Sequence, residues 1–169
     1  ATDDLVISGG QLTGKEFAFH AHNITMNGGH VGDFDSAASN EKITLNANNN
    51  LIINNGTLLS TNAGDAIQLQ GAAVTVNGGE VGTKTVNVNA TNDIALNGGL
   101  VHADEVGLTS TQGTIKQQYD NTAAQNGGLV YAGDLYIIAN KNIGDALTVD
   151  LGSRYNHLKN VFIDYGTKG

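Results

Sequence analysis

The side chains able to do chemistry are few and thinly spread. His20 and His22 stand two apart, so on a strand both point the same way and could share a Zn²⁺, with His30 as the nearest third ligand. Zinc sites use three or four ligands, and no further His or Cys stands at a fitting spacing; these are read as surface histidines and no metal is assigned. Asp33 and Asp35 offer oxygens for Ca²⁺ in a short polar loop. The Gly and Asp phasing of the Ca²⁺-binding nonapeptide repeat is missing, which leaves them as turn aspartates. Catalysis on an acidic sugar would need clustered carboxylates with Arg or Lys beside them. Asp93, Asp104 and Glu105 could approach one another across neighbouring segments, yet the chain has one arginine, Arg154, no tryptophan and isolated lysines. Serine-nucleophile signatures and phosphate-binding glycine loops are absent, so neither a catalytic residue nor a cofactor is expected.

What would hold any of these residues in place is a repeat. Val74-Thr-Val-Asn77-Gly78-Gly79-Glu-Val81 is restated 20 residues later as Ile94-Ala-Leu-Asn97-Gly98-Gly99-Leu-Val101. Ile24-Thr-Met-Asn27-Gly28-Gly29-His-Val31 is an earlier copy, Leu51-Ile-Ile-Asn54-Asn-Gly-Thr-Leu58 a degraded one, and Gly127-Gly128-Leu-Val130 the second half of another. Each copy alternates apolar with small polar residues, the period of a strand with one buried face, and then reaches glycines that turn through conformations closed to bulkier residues. Self-similarity at this period marks a solenoid. The pattern predicts an all-β, right-handed parallel β-helix, a β-solenoid of about seven coils of roughly 20 residues with Asn-Gly-Gly corners aligned along one edge.

Apolar-polar-apolar triplets open successive coils at Ile43, Ile67, Val86 and Val106, with spacings of 24, 19 and 20 residues. The chain reads as a single domain over residues 1–169, with loops inserted near 32–41 and 117–125 that leave the coil and return. Inward residues should stack as columns about 4.8 Å apart, one of Val31, Leu58, Val81, Val101 and Val130 and another of Met26, Ile53, Val76 and Leu96. Asn27, Asn54, Asn77 and Asn97 share one phase and should form an amide ladder, satisfying polar groups at a corner that solvent reaches poorly.

Composition narrows the partners. A formal charge of −8 with basic residues scattered singly argues against nucleic acid and anionic lipid surfaces. No run of about 18 apolar residues exists, so no transmembrane segment is expected, and no signal-peptide core follows Ala1. The absence of cysteine permits either redox compartment.

The stretches ITLNANNNLIINNGTL, VNVNATNDIALNGGLV, VGLTSTQGTIKQQ and LYIIANKNIGDALTVDL resemble the repeats of filamentous-haemagglutinin-type exoproteins, over about Ile24 to Leu151. These are bacterial adhesins and contact-dependent toxin carriers exported by two-partner secretion. The resemblance implies secretion to the bacterial cell surface and a role as fibre, stalk or adhesin. Its partners would be copies of itself, the rest of a longer β-helix, or a host or bacterial surface receptor or glycan. Nothing resembles the family's export module or toxin, which points to a shaft segment. The alternative from another class is a carbohydrate-active β-helix, a polysaccharide lyase or hydrolase. Neither end reads as capped, so end-to-end stacking of chains is expected.

Overall fold

Strict alternation requires every second side chain of a strand to find a common interior, and three short strands per coil satisfy it. The computed structural model describes residues 3–32, 41–61, 64–117, 129–139 and 160–165. Within them the chain is all-β, without helix, and every strand pair is parallel.

The first face of the solenoid stacks Leu5–Ile7, Ile24–Met26, Asn50–Ile53, Ala73–Val76, Ile94–Leu96 and Ile115–Gln117. The second face stacks Gln11–Leu12, His30–Val31, Thr57–Leu59 and Glu80–Gly82. The third stacks Glu16–Ala21, Lys42–Ala47, Ala66–Gly71 and Thr85–Ala90. The long strands Leu100–Ser110 and Leu129–Ala139 run across the second and third faces without a break, and Asn160–Tyr165 adds the last strand of the third face.

The triplets at Ile43, Ile67, Val86 and Val106 pair with one another in the register their spacing predicts. The 20-residue coil holds in the middle, where Val74 pairs with Ile94, but Ile24 pairs with Leu51 across 27 residues and Val106 with Leu135 across 29. The insertions therefore lengthen the mean coil to roughly 23 residues in place of roughly 20, and the third face is seven strands deep. Residues 33–40, with Asp33 and Asp35, lie outside the described residues, as do 118–128 with Gly127 and Gly128.

Both expected columns form. Val31, Leu58, Val81, Val101 and Val130 stand in register on the second face, and Met26, Ile53, Val76 and Leu96 on the first; all are buried. Each full burial of such a side chain contributes about 1.5–3 kcal/mol before entropy, so a few per coil suffice. Phe17 and Phe19 begin two columns of the third face and lean on the core with rings parallel, centroids 6.4 Å apart.

The corner between the first and second faces is where glycine is needed. Gly29, Gly79 and Gly99, each the second glycine of its copy, have φ of +91°, +86° and +79°. A Cβ on Gly79 would stand 2.3 Å from the Gly56 carbonyl oxygen, so both the dihedral and the stacking exclude a side chain. The first glycines, Gly28, Gly78 and Gly98, precede these turns without a left-handed φ. That distinction explains the degraded copy: Asn55 replaces the first glycine, while Gly56, at φ +117°, keeps the second.

Candidate functional site

Outside the core the polar side chains gather at the corners. The amide ladder exists, Asn54 Nδ2 donating to Asn27 Oδ1, Asn77 to Asn54 and Asn97 to Asn77, each at 2.8 Å. Its setting differs from the expectation, for all of these asparagines are exposed. Each follows an inward residue (Met26, Ile53, Val76, Leu96), and alternation turns it outward, so the ladder runs along the outer edge of the corner. The corner before the first face carries two further polar sets, separated by the coil with Ala72 and Ala73: Asn23 donates to Asp4 Oδ1 at 2.9 Å and Asn49 to Asn23 Oδ1 at 3.1 Å, and Asp93 accepts from Thr114 N at 2.8 Å. Their sequence signal was an Asp or Asn just before Leu5, Ile24 and Ile94, with Asn49 two residues before Leu51.

The corner between the second and third faces is of another kind. Glu41, Ser60 and Asp65 are buried there. Ser60 Oγ lies 2.5 Å from Glu41 Oε2 and in contact with Asp65 Oδ2, with its one proton to donate between them, while Glu41 N donates to Asp65 Oδ1 at 2.5 Å. The signal was readable: Glu41 leads the inward series Ile43, Leu45, Ala47, Asp65 leads Ile67 and Leu69, and Ser60 follows inward Leu58 by two. Three polar residues in an apolar phase must satisfy one another, since water does not reach them.

Above this cluster lies an open groove of about 480 Å³ lined by Ser60, Glu80, Thr83, Lys84, His102 and Asp104, among others. His102 Nε2 stands 3.0 Å from Glu80 Oε1. Its ring occupies the space over Gly82, where a Cβ would come within 2.0 Å of Nε2. Lys84 Nζ pairs with Asp104 Oδ2 at a largely solvated site, worth at most about 1 kcal/mol. Both groove carboxylates are thus engaged by a cation or imidazole of the same groove.

The carboxylates singled out from sequence are not brought together. Asp93 sits at the corner before the first face, 3.8 Å from Lys116 Nζ, whereas Asp104 and Glu105 occupy the bend inside Leu100–Ser110, both backbone amides donating to the Lys84 carbonyl. The histidines also separate. His20 and His22 are exposed at the end of a third-face strand, and His30 stands on the second face between Gln11 and Thr57 in register. Burial lowers the His30 pKa below its ordinary value, opposed by a hydrogen bond to the Gly32 backbone. Among the described residues no three His, Cys, Asp or Glu are placed to hold a metal ion, and no helix is long and apolar enough to cross a membrane. The chain matches no family model, no curated protein and no solved structure.

Proposed function

We propose that the chain is a structural segment of a secreted bacterial surface fibre or adhesin, a length of shaft that joins other coils end to end. The observation that supports this reading best is the uniformity of the stack. Each strand between the two ends of the stack bonds the strands one coil before and after it, and the same columns and amide ladder run from coil to coil. Such a solenoid gains stability by length and spaces whatever stands beyond it. The resemblance to filamentous-haemagglutinin-type repeats supports secretion and the cell surface. Electron microscopy and light scattering of the purified chain test the assembly: filaments that lengthen with concentration are expected, and compact monomers at high concentration would sink it. Proline at Ile163 removes a ladder donor and should stop the assembly while the circular dichroism of the central coils persists.

The groove favours one rival, a carbohydrate-active β-helix, because Glu80, His102, Lys84 and Asp104 converge on it. Incubation with a panel of acidic polysaccharides separates the two readings. Reproducible release of unsaturated or reducing ends would replace the shaft with an enzyme.

A further inference from the structure

The large hydrophobic side chains exposed among the described residues fall into two groups at opposite ends of the solenoid. Val6 and Leu12 belong to the first turn; Tyr136, Ile138, Val161, Phe162 and Ile163 belong to the last two strands of the third face. Between them the inward columns are sealed. Val161 continues the column Phe17, Ile43, Ile67, Val86, Val106, Leu135, and Ile163 continues the parallel column that begins at Phe19. Leu135 and Ile137 are 1% and 0% exposed, yet Val161 and Ile163, one rung further, are 48% and 49% exposed. Among the described residues the columns stop in the open, and their first members, Phe17 and Phe19, are themselves only half-buried.

Among the described residues, Asn160–Tyr165 and Glu16–Ala21 each pair on one side only, and each is six residues long. We propose that these two strands are the halves of one interface: the Asn160–Tyr165 edge of one copy takes the Glu16–Ala21 strand of a second copy, parallel and in register, with Val161 against Phe17 and Ile163 against Phe19. This rests on the shaft reading and gives it a geometry. A slip of one residue would turn Val161 and Ile163 toward outward positions, so only even slips keep the core. Of those, the unslipped register alone sets the Asp164 carboxylate against the His20 imidazole and the Asn160 amide against the Glu16 carboxylate. Within the chain the equivalent positions are already used this way, Asn160 Nδ2 donating to Asp134 Oδ1 at 3.0 Å and Lys42 standing opposite Glu16. His20, which belongs to no metal cluster among the described residues, gains a role at the seam. The contact is heterologous and open, so it propagates instead of closing.

Cysteine placement reads the register directly, because the chain has none of its own. Parallel neighbours about 4.8 Å apart lie within disulfide reach. Oxidation of the V161C/F17C chain should give a ladder of covalent multimers on a non-reducing gel, and the V161C/F19C chain, displaced by two residues, should not. H20E sets two carboxylates opposite each other and should weaken association about five-fold, and adding D164K should restore it. Filaments that form while V161C/F17C stays uncrosslinked, or that are indifferent to H20E, overturn this register and leave the shaft reading standing. Monomers alone, with a native circular dichroism spectrum, overturn both.

Discussion

At the Asn-Gly-Gly corner one residue type repeats and faces water, whereas at the next corner Ser60 and Asp65 of one coil and Glu41 of the coil before it are sealed from it. The first corner is bound by identical amide bonds from Asn27 to Asn97, each replaceable by a hydrogen bond to solvent. The second is bound by two carboxylates and a hydroxyl that have no solvent to fall back on. Repetition at the exposed corner thus fixes spacing at small cost per rung. The buried corner fixes one place, directly ahead of Lys42–Ala47.

That contrast can be broken by substitution. Asp65→Ala removes the acceptor for the Glu41 amide and for Ser60, leaving buried polar groups unmet, and should cost about 3–5 kcal/mol in urea unfolding. A cost below about 1 kcal/mol would mean that water enters this corner. Gly79→Ala comes next, since it places a Cβ against the Gly56 carbonyl at a left-handed φ; about 2–3 kcal/mol is expected, and Gly78→Ala, without the dihedral constraint, should cost less. Asn77→Ala breaks two ladder bonds in the open and should cost only about 1 kcal/mol. Equal losses for Asn77→Ala and Asp65→Ala would erase the distinction between the corners.

The smallest effect concerns His30. Its folded pKa is lowered, so the unfolded chain binds the proton more readily; the stability it contributes is present above the unfolded value of 6.5 and declines as pH falls from there toward the folded value. Urea midpoints compared at pH 7.5 and 5.5 should show a small loss at the lower pH that His30→Gln reduces. No difference between parent and variant would remove His30 from the pH response.

The fold was legible because its signal is redundant. Four copies of a strand-and-corner phrase, in fixed phase, set the register from Ile24 to Val101, and the columns they predicted stand opposite one another. The coil length was less legible, because an insertion changes the spacing without changing which residues pair. The exposure of the asparagines was misjudged although alternation states it, since a polar residue at a tight corner was assumed to need shelter. The groove and the buried cluster escaped notice for another reason: Glu41, Ser60 and Asp65 occur once each, and a single polar residue in an inward phase does not reveal which neighbour will meet it.

The sequence by itself determined the strand period, the left-handed glycines, the inward set and the phase at which asparagine recurs, all consequences of local dihedrals and of alternation with a period of two. Only the tertiary structure decided that Glu80 reaches His102 and Lys84 reaches Asp104, and that Asp93 stands apart from both. Those contacts join outward side chains of neighbouring coils, and alternation says only that such a side chain faces out, not which neighbour it meets.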